Sequence, residues 1–126
     1  MRIPENLYFS KDHEWVKFEG TEAHVGITDY AQDALGDVVY VDLPKVGSTI
    51  QAGDVIGEVE STKSVSELYS PVSGVITSVN EDLSSAPELV NSDPYGAGWI
   101  CVITISGEDA TSDLLSPSAY ASLTDH

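Results

Sequence analysis

Val55-Ile56-Gly57-Glu58-Val59-Glu60-Ser61-Thr62-Lys63-Ser64-Val65-Ser66-Glu67-Leu68-Tyr69 is the stretch that decides the architecture of this chain. Two strand-like runs, Val55–Glu60 and Val65–Tyr69, flank four residues of turn character, Ser61–Ser64. That order reads as a β-hairpin whose tip is Ser61-Thr62-Lys63-Ser64. Lys63 projects from this tip. Its neighbours Ser61, Thr62 and Ser64 are small hydroxyl residues that leave the amine sterically open. The two strands would hold that amine at a fixed place on a rigid scaffold.

Outward from the hairpin the pattern stays mostly strand. Trp15–Gly20 alternates and ends in glycine, and Ala23–Thr28 follows at hairpin distance. A short helix comes next. Asp29 is placed to cap it with Gln32 three residues on, Ala31 and Leu35 share a face, and Gly36 ends it. Strands resume at Asp37–Leu43 and, after the hairpin, at Val72–Val79, where Gly74 marks a bulge or a close approach. Asn91–Gly98 is almost wholly turn-forming. A short helical turn is expected around Asp113-Leu114-Leu115. A closing helix is expected with Ser116 as N-cap and Pro117 first, and with Tyr120 and Leu123 on one face. Short strands punctuated by Gly and Pro predict a mostly β barrel or sandwich with short peripheral helices.

The 126 residues are read as one domain, 1–126, and 41% apolar residues suffice for its core. Five basic residues stand against 21 acidic ones, for a formal charge of −16. That balance repels nucleic acid and anionic membrane surfaces; it serves to keep the chain soluble, to steer it toward basic patches on protein partners, or both. No apolar run approaches the roughly 20 residues of a membrane-spanning helix, and no secretory or organellar leader is read at the N-terminus. The lone Cys101 sits in Trp99–Ile105, which reads as a buried strand, so it is expected to be a core residue rather than a reactive thiol. His13, His24 and His126 are scattered without metal-ligand spacing. Gly57–Ser64 nearly fits a phosphate-binding loop, but Thr62 replaces its second glycine and Glu58 and Glu60 would repel a phosphate. No strained elbow marks a serine nucleophile. A carrier or binding module fits better than an enzyme.

Glu58–Gly74, with Lys63 near its centre, closely resembles the lipoylation segment of glycine cleavage H proteins. The same family is resembled by His13-Glu14-Trp15-Val16, Val25–Gln32, Leu35-Gly36-Asp37 and Leu43–Gly47. Further on, Val90–Gly96, Gly98-Trp99 and Leu114-Leu115-Ser116 with Tyr120 also match. The resemblance runs in order along nearly the whole chain.

It implies a lipoyl/biotinyl-type barrel-sandwich hybrid with short peripheral helices, including a C-terminal one. It implies covalent lipoate on Lys63, attached by a lipoyl/octanoyl transferase or lipoate ligase. The partners it implies are a pyridoxal-phosphate glycine decarboxylase, a tetrahydrofolate-dependent aminomethyltransferase and dihydrolipoyl dehydrogenase. The chain itself would be non-catalytic and monomeric, and bacterial cytoplasm is its expected compartment, with the mitochondrial matrix as the alternative. The aminomethyl-loaded arm ends in an ammonium, which a carboxylate near its dock would hold. The resemblance points to the neighbourhood of His13-Glu14-Trp15. Glu14 is the first candidate, with Asp12 and Glu67 behind it and His13 as a further contact; Trp15 and Trp99 are expected to pack. Three alternatives stay open. One is a lipoyl or octanoyl relay in lipoate metabolism. Another is a biotin carrier, although Thr62 and Ser64 replace the usual flanking Met residues. The third is an unmodified acidic interaction domain.

Overall fold

The predicted hairpin is present and forms two of the three strands in the smaller of two antiparallel sheets. A computed structural model describes residues 3–105 and 114–124. Its strands are β1 (Tyr8–Phe9), β2 (Glu14–Glu19), β3 (Glu22–Ile27), β4 (Val38–Asp42), β5 (Thr49–Ile50), β6 (Val55–Ser61), β7 (Val65–Tyr69), β8 (Gly74–Val79) and β9 (Cys101–Ile105). Helices α1 (Asp29–Leu35), α2 (Leu89–Ser92) and α3 (Pro117–Thr124) lie between and after them, with a 3-10 turn at Glu81–Ser84. The larger sheet runs β1-β2-β3-β9-β8-β5 and the smaller β4-β6-β7. This is the mostly β, barrel-sandwich type of architecture expected from the sequence.

The core lies between the sheets. Val16, Val25 and Ile27 of one sheet and Val41, Val59 and Leu68 of the other belong to one buried apolar cluster. A second cluster joins Leu7, Phe9, Trp15 and Tyr120, with Trp99 packed against it, so both tryptophans are packing residues as expected. Cys101 is fully buried in β9, and burial pushes its thiol up to about 12, which leaves it inert at neutral pH. Gly74 is a close approach: a Cβ there would collide with the Thr104 carbonyl on the neighbouring strand.

Four local expectations need correction. Thr28, not Asp29, caps α1: its extended backbone lets Oγ1 accept the Ala31 N–H at 3.2 Å. Asp29 instead occupies the first turn, where an acid suits the helix N-terminus, and accepts from Gln32 Nε2 at 2.7 Å. Leu115 does not sit in a helical turn but exchanges two backbone hydrogen bonds with Phe9, at 2.6 and 2.9 Å, extending the sheet beside β1. Asp113, the first residue of that expected turn, lies outside the described residues. In α3, Ser116 caps as expected, accepting from Ala119 N at 3.2 Å. Leu123, however, is 42% exposed, and Thr124 joins Tyr120 on the buried face. The reason is angular, since i+4 lies closer to i around a helix than i+3 does. Finally, the turn-rich run begins inside α2, which takes Asn91 and Ser92.

One packing detail yields a stability prediction. A Cβ on Gly26 would fall 2.6 Å from the Trp15 indole. The indole cannot slide freely, because its Nε1–H donates to Pro94 O at 2.8 Å. Gly26→Ala should therefore cost about 1–3 kcal/mol in a urea melt. A variant with unchanged midpoint and slope would show that Trp15 is not fixed in this way.

Candidate functional site: a groove from the hairpin tip to a buried carboxyl

The tip is a built turn. Ser61 Oγ accepts from the N–H groups of both Lys63 and Ser64, each at 3.1 Å, and Ser61 N–H donates to Ser64 O at 2.8 Å. Thr62 N–H donates to Asp37 O at 3.1 Å, which pins the tip to the segment before β4. Lys63 is exposed. Its stem lies against Gly36, where a Cβ would stand 3.0 Å from Lys63 Cε. Gly36 has φ 82° and ends α1 as predicted, with its N–H on Gln32 O at 3.0 Å. Asn91 secures this corner from α2: its Nδ2 donates to Gly36 O at 2.8 Å, and its Oδ1 accepts the Val38 N–H at 2.8 Å.

A groove of about 310 Å³ runs between the hairpin and α1. Tyr30, Ala31, Ala34 and Leu35 form one wall, and Ser64 of the tip with Val65 to Leu68 of β7 forms the other. At its inner end are Asp12, His13 and Glu14. Lys63 stands beside the groove: its neighbour Ser64 lines it, and its stem lies against Gly36, next to Leu35. The structure thus gathers all four docking candidates, Glu14, Asp12, His13 and Glu67, around one groove that begins next to Lys63.

The four differ in environment. Asp12 and Glu67 are exposed. Glu14 is 2% exposed, a carboxyl carried into the core margin on the first residue of β2. Its backbone N–H and one carboxyl oxygen both engage Ser10 Oγ, at 3.0 and 2.6 Å, and Tyr69 N–H reaches its other oxygen at 3.4 Å. Burial pushes its pKa up to about 8; the Ser10 hydrogen bond opposes this, and the charge of Asp12 adds to it. Below about pH 8 the groove therefore ends in a carboxylic acid rather than a carboxylate. His13 is partly buried, and desolvation lowers its pKa against the pull of Asp12.

The sequence did not single out Ser10, Tyr30, Thr28, Asn91 or Tyr120 for this site. For Ser10 a local signal exists, because Ser-x-x-x-Glu across a tight turn permits the hydroxyl–carboxyl pair. The others arrive from distant elements, and only the fold brings them together.

The chain is similar to known proteins in both sequence and fold. The family model described as glycine cleavage H-protein matches residues 7–126. A glycine cleavage system H protein of Rubrobacter xylanophilus is 56% identical over 119 residues, covering 94% of this chain and 92% of that one. One from Bacillus cereus is 52% identical over 124 residues, covering 98% of each. The crystal structure of a glycine cleavage system H protein from Mycobacterium marinum superposes with a TM-score of 0.86 at 44% identity, covering 95% of this chain and 97% of that one. The chain belongs to the glycine cleavage H-protein family, a carrier component of the glycine cleavage system rather than one of its enzymes.

Proposed function

We propose that Lys63 carries lipoate in amide linkage and that the resulting arm docks in the groove with its loaded end at Glu14. In this role the whole chain acts as one domain. It passes the aminomethyl group of glycine from a pyridoxal-phosphate glycine decarboxylase to a tetrahydrofolate-dependent aminomethyltransferase, then presents the reduced arm to dihydrolipoyl dehydrogenase. A monomer in the bacterial cytoplasm is the form proposed. The observation that carries the reading is the groove itself, which starts beside an exposed lysine on a rigid tip and ends at a buried carboxyl.

The residues fit such a group. Gly36 leaves room for the lysine stem where any side chain would intrude. Ala31, Ala34, Leu35, Val59 and Leu68 offer apolar surface to an aliphatic chain. When bound, lipoate supplies a disulfide that takes up the aminomethyl group and ends the transfer as a dithiol. The protein's own contribution is positional and electrostatic. The hairpin fixes where the arm begins, and the buried Glu14 provides a desolvated hydrogen-bond partner for an ammonium. Acylation also removes the Lys63 charge, so the formal balance moves from −16 to −17.

The test is intact mass and peptide mapping of the chain from a host with working lipoylation. A lipoyl-sized increment on the Lys63 peptide, followed by glycine-dependent bicarbonate exchange with the decarboxylase, is expected. An unmodified Lys63 in a host whose other lipoyl proteins are modified would overturn the reading. A modified Lys63 without bicarbonate exchange would redirect it to lipoate relay.

A further inference from the structure

Three side chains tie the inner end of the groove to the C-terminal helix. His13 Nδ1 lies 2.8 Å from Tyr120 Oη, and Tyr120 Oη lies 2.7 Å from Thr28 Oγ1. Thr28 Oγ1 also accepts the Ala31 N–H as the cap of α1. Tyr120 and Thr28 have no solvent exposure, and the Tyr120 ring stacks on Phe9 with centroids 4.6 Å apart. His13 has φ 68°, the only non-glycine residue with positive φ among the described residues. Histidine enters that region more readily than most side chains. Its backbone carbonyl accepts the Thr28 N–H at 3.0 Å, and its ring leans on Tyr30 with centroids 4.7 Å apart.

Counting hydrogens gives this chain a direction. Two hydroxyl hydrogens and one imidazole hydrogen are available to neutral groups. If Tyr120 donates to His13 Nδ1, Thr28 donates to Tyr120, and Thr28 Oγ1 still accepts the Ala31 N–H. Every hydroxyl hydrogen then has a place. If Nδ1–H donates to Tyr120 instead, Tyr120 must donate to Thr28. The Thr28 hydrogen is then left without an acceptor among the described residues, at a fully buried position. A stranded buried donor carries its desolvation penalty, so the first arrangement wins. It leaves the imidazole hydrogen on Nε2. Protonating His13 would force the second arrangement, so the network opposes the imidazolium in the same direction as burial does. The titratable groups around His13 are Asp12 and Glu14 on its own segment, Tyr30 on α1, Tyr120 on α3 and Glu67 on β7.

We propose that Tyr120, backed by Thr28, is a positioning residue that holds His13 as the neutral Nε2–H tautomer, so that the groove offers a cationic arm its carboxyl with no competing positive charge. The proposal rests on the groove being the arm's dock. It makes α3, remote from Lys63 in sequence, part of the docking machinery.

The lock is read without the arm. Long-range ¹H–¹⁵N imidazole spectra of the labelled full chain at pH 7 should show His13 protonated at Nε2 alone. In Tyr120→Phe, which keeps the stack on Phe9, that preference should disappear and the His13 titration midpoint should rise, while His24 stays unchanged as an internal control. An Nδ1–H tautomer in the parent, or an unmoved His13 titration in the variant, overturns the lock. If Tyr120→Phe fails to melt cooperatively, Thr28→Val removes the rear hydroxyl and should move the same His13 resonances. In aminomethyl-loaded protein, Tyr120→Phe should lose its amine roughly three- to tenfold faster at pH 7, the range expected for one hydrogen bond. Equal loss rates overturn the positioning role. Failure of the dock itself looks different: at pH 8 and above, Glu14→Gln would then lose amine no faster than the parent, although the His13 tautomer is as proposed.

Discussion

Lys63→Arg should abolish carrier function while leaving the fold intact. Peptide mapping is expected to find no lipoyl increment on the chain, and glycine-dependent bicarbonate exchange should fall to the level seen without it. The argument is chemical. Acylation needs a lysine amine that can reach its neutral, nucleophilic form, whereas a guanidinium with a pKa above about 12 does not deprotonate in proteins. The structure removes the competing explanation of misfolding. Lys63 is exposed, and its described hydrogen bond is made by its backbone N–H to Ser61 Oγ, which arginine retains. The variant should therefore melt within about 0.5 kcal/mol of the parent. Residual lipoylation at one of the three remaining lysines, with exchange activity preserved, would contradict the assignment of Lys63. Lys11, Lys17 and Lys45 do not stand on this tip, so none should substitute.

Lys63 and its hairpin were legible in the sequence because the signal is local. Two strand-like runs around four turn residues leave little freedom for the tip, and β6 and β7 pair as that order requires, from Glu60 with Val65 to Val55 with Tyr69. The start of β2 was less legible. With the strand begun at Trp15, Glu14 looks like an ordinary loop acid. With it begun at Glu14, the period of two places Glu14 on the same face as Val16 and Phe18, which turns toward the core. The one-residue boundary decides whether this carboxyl is solvated or buried, and boundaries are what local patterns fix least well. Thr28 is hard to read as the cap because Asp29 with Gln32 three residues on makes a competing local pattern. Tyr120 and Leu123, two apolar residues three apart, suggest a shared face, yet Thr124, four along, is the one that packs. The His13–Tyr120–Thr28 chain had no local signal at all. It joins residues 107 and 92 positions apart, and only the docking of α3 against β1 creates it.

Glu14→Gln should do two opposite things, both dependent on pH. In the folded chain the Glu14 carboxyl titrates near 8, against 4.5 for an unperturbed glutamate. The unfolded chain thus releases this proton first as pH rises, so ionisation favours unfolding. Glu14 costs no stability below pH 4.5, a growing amount between pH 4.5 and about 8, and a constant amount above that. At pH 7 the cost is on the order of 3 kcal/mol. Glutamine has nearly the same shape and no charge, so the variant should match the parent in acid and exceed it near neutrality in denaturant melts. Retention of the loaded arm should move the other way. An ammonium meeting the Glu14 carboxylate forms a charge-assisted hydrogen bond worth roughly 1.5–3 kcal/mol, so at pH 8 and above the variant should lose amine roughly ten- to a hundredfold faster. At pH 7 the ammonium must first displace the carboxyl proton, which takes about one power of ten from that contrast. Below about pH 6 the parent and variant should converge. A parent whose stability is flat from pH 5 to 8, together with a pH-independent ratio of loss rates, would show that Glu14 is an ordinary ionised surface acid. The expected pair of curves ties the two effects to one buried group: the desolvation that makes Glu14 a burden on folding is what strengthens its hold on a cation.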